Sequence, residues 1–540
     1  MGMRGALFVL ATMGAGVASA AAAGATADTL TTDLKRLIAT ATMVVAYLIF
    51  CAVIAIRHAV RHKMPTAAPE NDRGAPAVLV AYASQTGTAE ELARSTFRAL
   101  EAAHVPSRIV SFAHLDAVTL TRAQIALLIV STTGEGDPPD SAARFVRTVM
   151  GSRLTAPGLR YGVLALGDRA YTQFCAFGDA VHTSLSAWGA APMFDAIRVD
   201  NEDPASLDLW WQQLQALAGA PLRTDPSATV VTGTWTLADR ALANPDDAEH
   251  PAYYVALQPS GELPEWSAGD IAVIRPQNDP AEVRSLLARL ELDGEMQLDG
   301  PAGRQTLARH LAGSVLPKTP DEIAALARRS PALLAQGLQP LPTREYSIAS
   351  LPEDGRIELL VRQMRLADGR LGIGSGWLTS HAALCGRIEL SVRANTAFHP
   401  PAPQRPLILI GNGTGIAGLR AHLKARVKAN VGRNWLIFGE RSARTSFFYR
   451  DEIEAWHRRG LLERADFAFS RDQTERTYVQ DCVRSRAAGI RAWIEAGAAI
   501  YVCGSLRGMS TAVTSALSDI VGDDKVAEMI ETGLYRRDVY

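Results

Sequence analysis

At 540 residues the chain exceeds what one hydrophobic core supports, and its length fits three or four domains. Its 48% hydrophobic and 21% charged residues are ordinary for globular protein, and a formal net charge of −1 gives no electrostatic case for nucleic acid as a partner. Five scattered cysteines (Cys51, Cys175, Cys385, Cys482, Cys503) include no C-x-x-C pair, which argues against a disulfide framework or a zinc site and fits a reducing compartment.

Leu37 to Ile56 carries no charge. As a helix this stretch spans roughly 30 Å, the thickness of a bilayer's hydrocarbon core. Arg57, His58, Arg61, His62 and Lys63 follow it as a basic collar that favours the cytoplasmic side, although Lys35 and Arg36 at the other end weaken the charge argument. Residues 5–27 are also uncharged. They read either as a first membrane helix or, with Arg4 ahead and Ala18-Ser19-Ala20 behind, as a signal peptide. Both readings place the rest of the chain in the cytoplasm. His58 and His62 would share a helix face but lie outside the apolar stretch, so they read as part of the collar. Residues 1–63 are thus expected to be a membrane anchor, with a transmembrane helix at 37–56, and 64–75 a linker.

From 76 to 218 strands alternate with helices. Ala77–Tyr82 is an apolar run suited to a buried parallel strand, and it ends in Ser84-Gln85-Thr86-Gly87-Thr88 ahead of a helix. Hydroxyls, backbone N–H groups and a helix start at a strand end make a phosphate cradle. The loop has no Walker-type Lys, which argues against a nucleoside triphosphate. Strand Ile125–Ser131 runs into Thr132-Thr133-Gly134-Glu135-Gly136. Strand Tyr161–Leu166 runs into Gly167-Asp168, with Tyr171 and Phe174 beyond. Three such loops gather at the carboxyl edge of an open α/β sheet, where a flat ring with one phosphate fits.

These loops resemble those of flavodoxin-like FMN domains, especially in the sulfite reductase flavoprotein and microsomal NADPH–cytochrome reductase families. The resemblance implies that Ser84, Gln85, Thr86, Gly87 and Thr88 hold the FMN phosphate. It also implies that Ser131, Thr132, Thr133, Gly134, Glu135, Gly136, Leu166, Gly167, Asp168 and Phe174 surround the ring and that Tyr171 stacks on it. Thr133 stands where the microsomal reductases have a second stacking tyrosine, which leaves one ring face more open.

Residues 219–227 read as a linker. Over 228–402 short strands (Thr229–Leu237, Tyr253–Leu257, Ile271–Arg275) between Gly/Pro turns suggest an antiparallel barrel, with a helical insertion at about 280–340. Arg344 can grip a phosphate bidentately, and Tyr346 can lie against a ring on the same side of a strand while Ser347 faces the other way. After a strand at Arg356–Gln363, Gly372, Gly374 and Ser375 open a helix and offer a second pyrophosphate cradle. This pair resembles the FAD signature of ferredoxin-reductase-like domains, and the insertion resembles the connecting domain of diflavin reductases, although it is shorter.

In 403–540 the buried-strand run Pro406–Ile410 ends in a Gly-rich loop containing Gly413, Thr414 and Gly415, whose following helix faces a pyrophosphate. The family usually has Pro where Asn412 stands. Beyond strand Trp435–Phe438 and Arg441 lie Ser470, Arg471, Arg476, Tyr478 and Gln480. Arginines and hydroxyls favour a ribose 2′-phosphate, where an NAD site would use a carboxylate. This stretch is similar to the NADPH-selecting loop of the reductases. The resemblance extends to Arg537-Asp538-Val539-Tyr540. It implies that the terminal Tyr540 covers the FAD ring and gives way to nicotinamide, and that Ser347, Cys503 and Asp538 flank hydride transfer as catalytic groups.

The expected fold is therefore α/β and multidomain: a flavodoxin-like doubly wound domain, then a ferredoxin-reductase-like module with an antiparallel FAD barrel and an α/β NADP domain. The expected activity passes electrons from NADPH through FAD and FMN to a separate acceptor, a haem protein or other redox partner. A ferric-chelate reductase and a non-catalytic flavin-binding subunit of a membrane complex are the alternatives. No metal site is expected. The first module holds 14 Asp/Glu against 10 Lys/Arg, which faintly favours a basic docking face on the partner.

Overall fold

The computed structural model describes residues 78–540 except 170, 202, 220–221, 223–232, 301–302 and 328. The expected anchor and the linker after it lie outside the described residues. No helix of the described residues is long and apolar enough to cross a membrane.

The first module is a parallel sheet of β1 (Val78–Ala83), β2 (Ser107–Ser111), β3 (Ile125–Ser131), β4 (Arg160–Gly167), β5 (Ala191–Pro192) and β6 (Ile197–Asp200). The order is β2-β1-β3-β4-β5, and β6 also pairs β4. β1, β3 and β4 are buried on both faces, which explains why they read as unbroken apolar runs. Phe112, Phe145 and Phe177 fill one side of the sheet, and Leu100, Trp210 and Leu214 the other. Helix α1 (Thr88–Ala102) follows β1 directly, and Gly87 turns the chain into it at φ 99°. That left-handed conformation suits glycine, and a Cβ there would stand 2.7 Å from the carbonyl oxygen of Ala394.

Six strands form the antiparallel sheet of the second module. They are β7 (Gly233–Leu242), β8 (Ala252–Pro259), β9 (Ile271–Arg275), β12 (Arg344–Ser347), β13 (Ile357–Arg362) and β14 (Arg387–Arg393), in the order β12-β9-β14-β7-β8-β13. Trp235, Leu237, Ile274, Leu359 and Leu390 make its core. Between β9 and β12 four helices bury Leu286, Leu307, Leu311 and Leu334 in a core of their own. That segment also contains a hairpin, β10 (Gln297–Gly300) with β11 (Gly303–Thr306). The hairpin has little apolar alternation to announce it, and it interrupts the expected all-helical insertion.

The third module stacks β15 (Leu407–Asn412), β16 (Asn434–Glu440), β17 (Arg464–Phe469), β18 (Ala499–Gly504) and β19 (Tyr535–Val539) in the parallel order β17-β16-β15-β18-β19. Helix α2 (Ile416–Lys428) follows β15, and α3 (Asp523–Glu531) precedes β19. Three of the five residues of β19 are charged, so the sequence pattern does not mark it as a strand. Pairing with buried β18 holds it, and Tyr535 and Val539 point into the core.

Arg420 on α2 ties this module to the antiparallel sheet. Its guanidinium donates to Ala349 O (2.8 Å), to Glu358 (2.8 Å) and to Glu452 (2.5 and 3.2 Å), and lies over the Tyr449 ring. These charged partners hold its pKa up against burial. Removing one member of such a cluster leaves buried charge uncompensated. Arg420→Ala is therefore expected to cost roughly 3 kcal/mol, seen as an earlier unfolding transition of these two modules by calorimetry.

Candidate functional site

The three loops of the first module meet at the carboxyl edge of its sheet. Ser84 and Gln85 are buried. Ser84 Oγ accepts from the Gly87 N–H at 3.0 Å, and the Ser84 N–H donates to Ser141 Oγ at 3.1 Å. The Gln85 side chain turns out of the cradle, to Asp140 and the carbonyl of Arg537. Thr86 gives its carbonyl to Arg393 at 3.1 Å, and Thr88 begins α1. Ser131 Oγ donates to Ala83 O, joining β3 to β1. Thr132 Oγ1 accepts from the Phe177 N–H, and its own N–H donates to Leu166 O. Thr133 and Asp137 close a tight turn with reciprocal bonds of 2.8 and 2.9 Å, Gly134 and Gly136 taking positive φ inside it. Thr133 Oγ1 is buried with no partner. Glu135 accepts from the Thr172 N–H at 3.1 Å and so joins the second loop to the third. In the third loop the Tyr171 N–H donates to Asp168 O, and Phe174 packs close against Gly167. These loops leave a donor-rich turn beside half-buried Tyr171 and Phe174, which suits a phosphorylated flat ring.

A second cradle lies where β12 meets the start of the helix at Ile373–Gly376. Arg344 and Tyr346 share one side of β12, and a Cβ on Gly374 would stand 2.6 Å from Arg344 Cγ and 2.7 Å from the Tyr346 hydroxyl. Gly372 N–H donates to Met364 O, and the Met364 N–H donates to Ser375 Oγ at 3.0 Å. Burial raises the pKa of Tyr346, so it stays a neutral phenol. Ser347 points the other way, and its Oγ donates to Asp538 Oδ2 at 2.7 Å. Cys503 Sγ lies 3.6 Å from the same oxygen. The parallel register sets Cys503 opposite Asp538. Gly418 lets α2 close over them: a Cβ there would stand 3.2 Å from the Cys503 sulfur. Burial first, then the Asp538 charge, raises the Cys503 pKa well up, so the sulfur is a thiol and no nucleophile at neutral pH. Burial likewise raises Asp538, opposed by its bonds from Ser347 and Cys503. Tyr540, about half exposed, holds Gly504 O through its N–H and reaches the Thr414 hydroxyl at 3.1 Å.

The third recess is a cavity of about 400 Å³ lined by Asn412, Glu440, Arg441, Ser470, Tyr478 and Gln480 among others. Four of the residues singled out from sequence (Arg441, Ser470, Tyr478, Gln480) thus share one wall. Arg441 Nη1 is buried with no partner, and burial, then the charge of Arg471, lowers its pKa. A buried guanidinium nitrogen without a partner, near a second positive charge, suits an anionic group. Arg471 and Arg476 are exposed and do not line the cavity. Gly413 takes φ 56°, and Gly415 lets the start of α2 touch β18: a Cβ there would fall 2.2 Å from Cys503 O.

Arg362 is not marked by a sequence motif, whereas Asn412 belongs to the Gly-rich loop described above. Arg362 bonds Glu440 at 2.7 Å beside Gly413, and Asn412 Oδ1 accepts the Ser505 N–H at 3.0 Å. A charge inside an apolar strand was the available signal for Arg362, but its partner lies 78 residues away. Among the described residues no group of His, Cys, Asp or Glu is arranged to hold a metal ion.

Residues 80–209 match the family model described as Flavodoxin, and 409–515 match the Oxidoreductase NAD-binding domain. The sulfite reductase (NADPH) flavoprotein alpha-component of Neisseria meningitidis serogroup C is 31% identical over 564 residues, covering 89% of this chain and 91% of the relative. The chain belongs to this family. Alpha-components from Yersinia enterocolitica (30% identical, 85% of this chain and 89% of the relative) and Salmonella typhi (30%, 87% and 91%) are similarly related. Membership places the chain among flavoprotein oxidoreductases, and both matched models fall on the two parallel sheets described above.

In this family member Asp538 offers a check on the burial argument. Its folded pKa is raised, so ionised Asp538 costs stability at neutral pH and the cost vanishes once folded and unfolded chains are both protonated. Asp538→Asn is expected to raise the melting temperature at about pH 8 and to change it little at about pH 4. Calorimetry at the two pH values checks this.

Proposed function

We propose that this chain is a membrane-anchored, NADPH-dependent diflavin oxidoreductase that passes electrons to a separate redox protein. The observation that carries the reading is the convergence of Ser347, Cys503 and Asp538, from three strands, beside the Arg344–Gly374 cradle and under the Tyr540 terminus. When bound, NADPH and FAD supply two-electron chemistry and FMN the one-electron outlet.

The chain's own residues bind and orient. In the first module the Ser84–Thr88 loop holds the FMN phosphate, and the 131–136 and 166–174 loops hold the ring, with Tyr171 against it. The orphaned Thr133 hydroxyl supports that fit, because a buried hydroxyl without a partner wants an acceptor or donor from a ligand. Gln85 contributes backbone rather than side chain, since its amide is engaged elsewhere. Arg344, Tyr346, Gly372, Gly374 and Ser375 hold FAD. Gly413, Thr414 and Gly415 take the pyrophosphate of NADPH, and Arg441, Ser470, Arg471, Tyr478 and Gln480 its 2′-phosphate, with Arg476 approaching from the rim. At the centre burial favours the protonated form of Asp538, Ser347 Oγ donates to its carboxyl oxygen and fixes its position, and the buried Cys503 thiol fills space without ionising. Tyr540 excludes water until nicotinamide displaces it.

Residues 1–63 carry the anchor, with the flavin modules in the cytoplasm, on the strength of the uncharged 37–56 stretch and its basic collar. The acceptor is a separate haem or other redox protein, a reading supported by the kinship to the flavoprotein alpha-components of sulfite reductase.

Anaerobic titration of the purified chain with NADPH tests the core of the reading. Bleaching of flavin absorbance with one FAD and one FMN per chain is expected; flavins that bind but never bleach would overturn it. Arg441→Ala is expected to raise KM for NADPH by about ten- to a hundredfold and leave KM for NADH nearly unchanged, by loss of a charge-assisted bond to the 2′-phosphate. For the anchor, a chain starting at residue 64 should move from the membrane to the soluble fraction with NADPH oxidation retained.

A further inference from the structure

Two neighbouring charges on β19 face opposite ways. Asp538 faces Ser347 and Cys503, whereas Arg537 faces the first module. Arg537 Nε donates to the two oxygens of Asp140 at 3.1 and 3.2 Å, and its terminal nitrogen closes on Asp140 Oδ1 as well. Gln85 completes the contact. Its Nε2 donates to Arg537 O at 2.7 Å and to Asp140 Oδ2 at 3.1 Å, while its Oε1 accepts the Asp140 N–H at 2.8 Å.

The pair is largely sequestered, with side-chain exposures of 21% for Arg537 and 13% for Asp140. β19 is the edge strand of its sheet and pairs on one side only, with β18. An edge carbonyl ordinarily faces water, and here Gln85 of the other module caps it. Asp140 stands just after the second flavin-side loop and Gln85 inside the first, so both belong to the end of the module that holds the cradle. Two outlying contacts, Arg147 with Glu531 on α3 (2.8 Å twice) and Leu506 against Gly134, brace the same approach.

We propose that Arg537 is the positioning residue that docks the first module for electron transfer between the two flavin sites, and that docking and the Tyr540 cover are linked through β19. This rests on the two-flavin reading above. In the docked state Asp140 and Gln85 fix Arg537, and the same five-residue strand presents Asp538 and leads into Tyr540. Undocking releases the strand's outer edge and loosens the residue that must yield to nicotinamide. Linkage makes the effect reciprocal: displacement of Tyr540 by nucleotide weakens docking by the same factor.

The test is a charge-reversal cycle in the full chain with both flavins bound: Arg537→Asp, Asp140→Arg, and the two together. Small-angle scattering reads docking, flash-induced absorbance reads transfer between the flavins, and calorimetry reads NADP+ affinity. Each single reversal is expected to expand the particle and to slow transfer by about ten- to a hundredfold, the range for loss of a charge-assisted contact. Both should also tighten NADP+ binding by a common factor, and the double reversal should recover compaction and rate. Single reversals that leave particle size and rate unchanged, or a double reversal no better than the singles, would overturn the proposal. A merely structural Arg537 would lower the melting temperature without rescue. A wild-type chain that NADPH never bleaches fails the two-flavin reading, while compaction still decides the clasp separately.

Discussion

The parallel pairing of β19 with β18 is the contact on which the central site depends. It brings residue 538 beside residue 503 and residue 537 beside residue 502, with the Arg537 carbonyl accepting from Gln85. Parallel strands are held by slanted bonds and need both neighbours buried to persist, and β18 supplies this because all six of its residues are buried. Tyr535 and Val539 then anchor the strand from the core side. Without that pairing Asp538 would be a solvated carboxylate near a frayed end. With it, the carboxyl is buried, its pKa raised, and its oxygen shared by a hydroxyl and a thiol.

Glycine sets how closely the modules approach this centre. Gly415 and Gly418 allow α2 to lie on Cys503 and Ser347, and Gly374 allows Arg344 and Tyr346 to lie on the second cradle. Arg420 then holds α2 to the antiparallel sheet through two carboxylates and a carbonyl. Such a buried network is strong only while fully paired, and each guanidinium nitrogen of Arg420 finds an acceptor. Geometry at the centre therefore rests on backbone contact and one ion cluster, with little left to flexible surface charge.

The cavity around Arg441 works by the opposite logic. Nearby Glu440 is neutralised by Arg362 of the antiparallel sheet. Arg441 instead keeps a buried nitrogen without a partner and feels the repulsion of Arg471. A buried guanidinium nitrogen left without a partner suits an anionic group in that cavity.

Much of this was legible in the sequence by itself. The apolar runs at 125–131 and 271–275 gave strands with their observed bounds, because central strands buried on both faces tolerate few polar residues. The placement of the Gly-rich loops at strand ends, of Arg344 and Tyr346 on one side of a strand, and of Ser470, Tyr478 and Gln480 in one recess was legible because local backbone geometry demands particular residue types at short range. Tertiary structure alone decided the rest. The strand at 535–539 looks too charged to be one, and its formation depends on a partner more than thirty residues away. The 297–306 hairpin has little apolar alternation. The pairs Arg362–Glu440, Arg537–Asp140 and Arg393–Thr86 join residues 78, 397 and 307 positions apart. A charged side chain shows in sequence that it needs compensation, but which distant group supplies it depends on how the sheets pack, and composition and periodicity do not carry that information.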